Sequence, residues 1–334
     1  MHIGKSYKLG EFLIWTSRTT ILPLVVSVVA VVLYQLGFKS LSIPWTIVAL
    51  LGTATAFIIG FMNQQTYSRT WEARQIWGAV VSKSRGWGIM CRDFIVNKDH
   101  SKELIYRHFA WFTALRYQLR TERGWETMGR SYNKRYKKFY KVPEHEIPLE
   151  EELKKYITRD ELNYILTTKN KAGQLLSLQS KQLRTLHENG EIDEFKFLDM
   201  HEVIRDFYTH QGMSERIKNF PYPSQYASVN RFFVKLFSFL LPFGLLGEFD
   251  QLNEEVTGFM QGNMIWLVIP FSILISWVYA SLQQVGESTS NPFEGSANDV
   301  PISQMSLAAE IDIREMLGET DLPSATTSEN NIVL

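Results

Sequence analysis

The stretch from Leu41 to Gly78, LSIPWTIVALLGTATAFIIGFMNQQTYSRTWEARQIWG, constrains this chain more than any other. From Ile43 to Met62 it carries no charge. Those are about 20 residues, and at about 1.5 Å of rise each they cross a hydrocarbon core of about 30 Å as a helix. Past Met62 the stretch turns polar and charged, with Arg69, Glu72 and Arg74. Gly52, Ala56 and Gly60 recur at every fourth position, the spacing at which small residues let membrane helices approach closely. Thr53, Phe57 and Phe61 repeat at the same interval on the adjacent face and stack over a rise of about 12 Å. Such a face can line a pore. Periodicity alone equally suits ordinary lipid-facing or core aromatics.

Three further apolar runs accompany it. Ile21 to Leu36 is a first span, read as helix because a lone strand cannot satisfy its backbone in lipid. The linker Gly37–Ser42 holds only a turn, so the first two spans form a hairpin. Phe232 to Phe249 is a third span with Pro242 inside it, and Lys235 near one end is placed to snorkel. Met264 to Leu282 is a fourth, with Trp266 and Trp277 near its ends as interface anchors. Lys5, Lys8 and Arg18 precede the first span, and Arg69, Arg74, Lys83, Arg85 and Arg92 follow the second, whereas the turn between them has only Lys39. The outer flanks are therefore expected in the cytoplasm and the turn outside. The loop Glu248 to Gln261 is acidic and lacks Lys and Arg, in keeping with an outer position. The first run has no small-residue cleavage site, so no removable leader is expected.

The expected layout is an interfacial segment over 1–19, spans one and two over 20–62, and a cytoplasmic helical region over 63–230. Spans three and four occupy 231–283, a C-terminal cytoplasmic segment 284–318, and a disordered tail 319–334. In the middle region Tyr67 to Phe94 continues the second helix into water, and Arg69, Glu72, Arg85 and Asp93 are read as an ion-pair network between helices. Lys102 to Leu119 is an amphipathic helix, and Asp160–His187 with Glu191–Gln211 a helical hairpin. Ile302 to Leu317 is a last helix, with Ser296 or Asn298 as a turn or cap residue. Residues 130–141 are basic with interleaved aromatics. They read as a solvated or lipid-contacting face, because no nucleic-acid module accompanies them.

Catalysis finds no support. His187, His201 and His210 are spaced unlike a helical metal pair, His108 and His145 are isolated, and HExxH, CxxC, GxSxG and GxxxxGK[ST] are missing. The single cysteine, Cys91, allows no internal disulfide and no cysteine metal cluster. No metal, cofactor or nucleic-acid partner is expected. Lys+Arg and Asp+Glu are equal at 35 each, so net charge selects no partner. Four spans of one chain do not readily enclose a pore. Symmetric assembly with one helix per subunit at the axis does, and the second helix is the best candidate. A ring of hydrophobic side chains there makes a narrow gate that dewets.

At this point four blocks bear a resemblance to a known family. FIIGF (Phe57–Phe61) followed by YSRTWEARQIWG (Tyr67–Gly78) resembles the second membrane helix of the bestrophins. ERIKNFPYPSQY (Glu215–Tyr226), LLPFG (Leu240–Gly244) and NPFEGSANDVP (Asn291–Pro301) follow in the family's order, so the resemblance runs from about Ile3 to Gly318. It implies an all-α, four-transmembrane-helix membrane protein with a large helical cytoplasmic domain, assembled as a bestrophin-like homopentamer. It also implies a pore neck at Thr53, Phe57 and Phe61, with Thr53 departing from the usual apolar residue and so lowering the inner barrier. A cytoplasmic aperture is implied at Phe195, with Ile192 as a near competitor. The calcium clasp of animal members has only Glu294 and Asp299 nearby here, which argues against calcium gating through it.

The expected function is a pentameric channel for chloride or other small monovalent anions, in contact with membrane lipids, multi-pass in the cell membrane. Aromatic ring edges favour a partly dehydrated anion. The acidic outer loop, repeated five times, instead favours cations, so a sodium or potassium channel of the same fold is the alternative. A non-conducting membrane scaffold and a lipid-headgroup enzyme stand behind it; the latter lacks a nucleophile or metal site.

Overall fold

A single uninterrupted helix of 50 residues, Trp45–Phe94, organises the fold. No proline lies between Trp45 and Phe94, Pro44 stands at its N-cap, and Ile95 ends it in extended conformation. At about 1.5 Å per residue it runs for about 75 Å, well beyond a bilayer. The computed structural model describes residues 1–4, 8–258, 260–325, 328 and 330–334. Lys5 of the expected N-terminal basic flank, Phe259 of the acidic loop, and Thr326, Thr327 and Glu329 of the expected tail lie outside the described residues, as do the side chains of Arg135, Tyr136 and Glu255.

In chain order the helices are α1 (Leu9–Thr16), α2 (Ile21–Gln35), α3 (Trp45–Phe94), α4 (Lys98–Arg120), α5 (Ser131–Tyr136), α6 (Pro143–Glu146), α7 (Leu149–Leu153), α8 (Arg159–Thr167), α9 (Lys171–Glu188), α10 (Glu194–Asn219), α11 (Ser224–Glu255), α12 (Val268–Ser288) and α13 (Ile302–Met316). Four segments are long and apolar enough to cross a membrane: Leu9–Gln35, Lys39–Phe94, Ser224–Glu254 and Met264–Ser288. The starts of the polar helices are chemically marked. Asn97 accepts from Asp99 N at 2.9 Å to cap α4, Asn170 from Gly173 N at 2.8 Å to cap α9, and Asp193 from Lys196 N at 2.9 Å to cap α10. The Asn170 cap splits the expected helix Asp160–His187 into α8 and α9, so the hairpin becomes three helices.

α3 belongs to two cores. Its first third gives Val48 to a cluster with Ala30, Val31, Phe237, Leu241 and Val268, between α2, α11 and α12. Its second half gives Ala73, Ile76, Trp77, Val80, Trp87 and Cys91 to a larger cluster with α4, α9, α10 and α13. Removing each large side chain of this second core from water contributes roughly 1.5–3 kcal/mol. Between the cores, Arg69 pins α3 to three carbonyls. Nε donates to Ser290 O at 2.9 Å, and Nη2 donates to the carbonyls of Ile217 and Phe220. Thr70 Oγ1 donates to Thr289 O at 2.9 Å beside it.

The expected Arg69–Glu72–Arg85–Asp93 network does not form. Glu72 pairs with Arg216, Arg85 with Asp312 at 2.5 Å, and Asp93 with its neighbour Arg92 at 2.7 Å. Arg69 and Glu72 share a face, but Arg69 is taken up by backbone carbonyls and Glu72 by Arg216, while Arg85 and Asp93 lie turns further along and reach other partners. The small-residue face also divides. Gly52 is buried against α11, where an added Cβ would lie 2.7 Å from the Phe237 ring, but Ala56 is exposed and Gly60 has nothing within 4 Å.

The NPFEGSANDVP block forms a buried polar knot. Glu294 accepts from Thr127 N at 2.8 Å and from the Thr127 hydroxyl, while Asp299 accepts from Gly295 N at 2.7 Å and pairs with Arg120 at 3.2 Å. Arg120 also faces Glu144 at 3.7 Å, and all three side chains are about fully buried. Ser296 Oγ donates to Asp299, which fulfils the turn expected of Ser296. The chain ends close nearby. His2 bridges Ile332, Gln304 N donates to Leu334 O at 2.8 Å, and Ile332, Val333 and Leu334 are buried. The last five residues therefore depart from the disorder expected of 319–334, because their apolar side chains find a pocket against Tyr140, Val142 and Ala297.

Two outcomes follow from this packing. Gly52→Val forces the Phe237 ring off Tyr279, its stacking partner at 4.5 Å, and destabilises the protein by about 1–3 kcal/mol, read as a lowered Tm in detergent. Burial and the nearby Asp299 raise the Glu294 carboxyl from 4.5 to about 8. The folded state then keeps a proton that the unfolded chain releases, so this stability is full below about pH 4.5 and is lost as pH rises through about 8. Melting curves of Glu294→Gln should lack that fall; a parallel pH slope in wild type and variant would refute the assignment.

Candidate functional site

The face of α3 opposite the two cores is uncovered. Its buried residues run Val48, Gly52, Thr55, Ile59, Met62, Thr66 and Ala73, one continuous helical stripe. The open side carries Leu50, Phe57 and Phe61 at 73, 66 and 70% exposure, with Thr53 exposed between them. Large aromatics left bare on a helix whose other face is fully packed mark a surface with a function outside the single chain. Thr53 Oγ1 donates to Ala49 O at 2.9 Å. The hydroxyl is thus bound to its own helix, as Ser and Thr commonly are at the i−4 carbonyl.

The open face does not stop at Phe61. Gln64 and Ser68 continue it at helical spacing, followed by Trp71 and Gln75, all exposed. Spacing by four alone leaves these out. Alternating steps of three and four from Phe57 give 61, 64, 68, 71 and 75, and that rule was available in the sequence. Phe61 also lines a cavity of about 740 Å³ between α3 and the start of α11, walled by Arg69, Glu72, Tyr222 and Tyr226. An apolar ring position therefore opens directly onto a chamber edged with polar and charged groups.

Phe195 lies far from Thr53, Phe57 and Phe61, near the opposite end of α3 but on another helix. It is the second residue of α10, 85% exposed, and shares a cavity of about 650 Å³ with Phe94, the last residue of α3. Ile192, its competitor, is 3% exposed and packs in the large core. Between Thr53 and Phe94 the helix climbs about 60 Å. Phe195 is held there by the Asp193 cap and by Lys196, whose ammonium sits 5.8 Å from the Phe94 ring centre. Thr53, Phe57 and Phe61, the positions expected to line a neck, come together on one helix face, and Phe195 stands apart near the far end of α3.

Several of the other titratable groups singled out in the sequence have structural partners. His108 is fully buried, its Nε2 2.8 Å from Ser84 Oγ, and burial lowers its pKa to about 3, so it stays neutral. His201 Nε2 meets Ser180 Oγ at 3.0 Å, and His187 Nε2 meets Glu194 at 3.0 Å. Among the described residues no group of three or more His, Cys, Asp or Glu is arranged to hold a metal ion. Glu294 and Asp299 spend their oxygens on internal donors. Trp277, expected as an interface anchor, donates from Nε1 to Thr16 Oγ1 at 2.9 Å and so fastens the N-terminal segment to α12.

A family model described as Bacterial/Fungal Bestrophin protein matches residues 11–315. The chain is similar to the voltage-dependent anion channel-forming protein YneE of Escherichia coli (strain K12), at 25% identity over 87% of this chain and 81% of that one. It is also similar to the voltage-dependent anion channel-forming protein RSc3414 of Ralstonia nicotianae, at 23% identity over 82% of this chain and 78% of that one. The crystal structure of a bacterial bestrophin homologue from Klebsiella pneumoniae superposes with a TM-score of 0.74 at 23% identity, covering 90% of this chain and 98% of that one. That likeness carries the fold, and the four apolar helices make this a multi-pass membrane protein. With a family match that spans both the membrane helices and the water-facing region, the chain belongs to the bestrophin family.

Proposed function

We propose that this protein is an ion channel, not an enzyme, and that it conducts chloride or other small monovalent anions along the axis of a homopentamer. The observation that carries the proposal is the unpartnered Thr53–Phe57–Phe61 face of a helix packed on its other side into both cores. Rotation about an axis brings five such faces together and covers them without any other protein. The relatives named as anion channel-forming proteins support the choice of ion. So does the chemistry of the neck, which has no carboxylate on the open face from Leu50 to Ser68 and presents phenyl groups whose ring edges are electropositive.

In this reading the neck is Thr53, Phe57 and Phe61, a hydrophobic constriction that opens by wetting, and Phe195 forms a second aperture at the cytoplasmic end. Thr53, with its hydroxyl turned back to Ala49, presents its methyl group as an apolar liner. Segments 1–19, 63–230 and 284–318 are cytoplasmic, segments 20–62 and 231–283 hold the spans, and both termini lie on the cytoplasmic side of the cell membrane. The turn at Lys39 and the end of α11 belong to one side, because Lys39 pairs with Asp250 at 3.5 Å and Tyr34 Oη donates to Asp250 at 2.8 Å. That pairing also neutralises one acidic group of the outer loop, which weakens the case for cations.

Recording the purified protein in a planar bilayer under a KCl gradient tests this. The reversal potential should lie near the chloride equilibrium potential, and Phe57→Ala should enlarge the current several-fold while Gly60→Ala leaves the fold of the chain intact. Reversal near the potassium potential would keep the channel and exchange the ion. A verified oligomer that passes no current in either version would move the assignment to a membrane scaffold. Phe195→Ala should change current less through fold than through conduction, since nothing in the core rests on that exposed ring.

A further inference from the structure

A second cavity, of about 320 Å³, lies where the N-terminal segment, α11 and α12 meet. Arg18, Arg130, Arg231 and Lys235 converge on it from three separate parts of the chain, and among the described residues Glu287 is the one carboxylate in its lining. Glu287 is already occupied. Arg231 donates to it from Nε at 3.1 Å and Nη2 at 3.0 Å, Gln283 Nε2 at 3.1 Å, and Tyr132 Oη at 3.4 Å. Arg18, Arg130 and Lys235 make no side-chain ion pair among the described residues. The cavity therefore holds three uncompensated cations.

Its walls are fastened. Gln284 Nε2 donates to Trp15 O at 2.9 Å, Trp277 holds Thr16, and the Trp15 and Tyr132 rings meet edge-on at 5.9 Å. Two of these contacts tie the N-terminal segment to α12 and the third ties it to α5, so the pocket is built before any ligand arrives. One wall is apolar. Leu22 and Pro23 line it, and from there Val25, Val29 and Val32 continue along α2 as an exposed apolar stripe. Lys235 lies near the start of the apolar stretch of α11, with exposed Phe232 and Phe239 one turn to either side.

We propose that this cavity binds the phosphodiester headgroup of an anionic glycerophospholipid. The phosphate meets Arg18, Arg130 and Lys235, while the acyl chains lie along Leu22, Val25 and Val29. Basic pockets between membrane helices at the interface take anionic headgroups in this way. The apolar track separates a lipid from a free phosphate, which would leave that wall unused. A zwitterionic lipid brings the positive charge of its own ammonium group into a site that already carries three uncompensated cations. The inference rests on the membrane placement of the chain and not on conduction, so a protein that passes no current still reports on it.

Native mass spectrometry of the intact oligomer in detergent, titrated with phosphatidylglycerol or phosphatidylcholine, tests the site. Wild type should retain phosphatidylglycerol over phosphatidylcholine, and Arg18→Gln/Arg130→Gln/Lys235→Gln should bind it about a hundredfold more weakly, given about a fivefold contribution per cation. If the triple variant does not fold, Lys235→Gln should lose about fivefold and Lys235→Arg keep wild-type retention. Equal phosphatidylglycerol binding by wild type and variant, or equal binding of the two lipids, would overturn the site. Displacement of phosphatidylglycerol by inorganic phosphate at matching concentration would overturn the lipid assignment.

Discussion

In a bilayer the backbone must satisfy its own hydrogen bonds, and this one constraint shapes the architecture. α3 meets it with an unbroken ladder that begins at Trp45 among apolar helices and ends at Phe94 in a polar region. Because the helix does not stop at the membrane boundary, any residue on its open face shares one rigid axis with every other. Thr53, Phe57 and Phe61 and the end near Phe195 are thereby set far apart along a single element rather than on two domains joined by a loop. Arg69 reinforces this where α3 leaves the apolar layer. Its guanidinium gathers carbonyls from the end of α10 and from the segment after α12, so the polar region is clamped to the spine about two turns past Phe61.

Around that spine the two cores obey different physics. The cluster of Trp77, Trp87, Trp111 and Phe207 is stabilised by removal of aromatic surface from water. The cluster of Ala30, Val48 and Phe237 gains little from that effect in lipid and depends on close fit, as at Gly52 against Phe237 and at Gly244, where a Cβ would meet Val48 at 2.7 Å. The buried knot of Arg120, Glu144, Glu294 and Asp299 serves a third purpose. Charges withdrawn from water are costly unless paired; here Arg120 faces Asp299 and Glu144, while Glu294, held protonated, is bound by Thr127, so the knot fastens the segment between Asn291 and Pro301 more than it adds net stability.

Charge distribution at the membrane edge follows from the same economy of partners. Carboxylates in the polar region find cations within the chain, as Glu72 finds Arg216 and Glu287 finds Arg231. Arg18, Arg130 and Lys235 have no such partner among the described residues, and they collect where α2 and the apolar stretch of α11 begin and α12 ends. An unpaired cation in water is ordinary; three around one pocket with an apolar wall are a binding surface for a group that is itself part anion and part hydrocarbon.

Much of this was legible in the sequence. Uncharged runs long enough to cross a bilayer specify helices regardless of neighbours, because lipid offers no other way to satisfy a backbone, and the proline-free run to Phe94 specifies that the second helix continues into water. The period of Thr53, Phe57 and Phe61 places them on one face by helix geometry alone. Partner choice was not legible. Which of Ala56 and Gly60 meets a neighbour, where Arg69, Glu72, Arg85 and Asp93 find their partners, and why Ile192 is buried while Phe195 is bare all depend on which surfaces the tertiary fold brings within a few ångströms. The same holds for the convergence of Arg18, Arg130 and Lys235, which lie more than a hundred residues apart in sequence. Local periodicity is a property of the chain, whereas pairing and burial are properties of the packed whole.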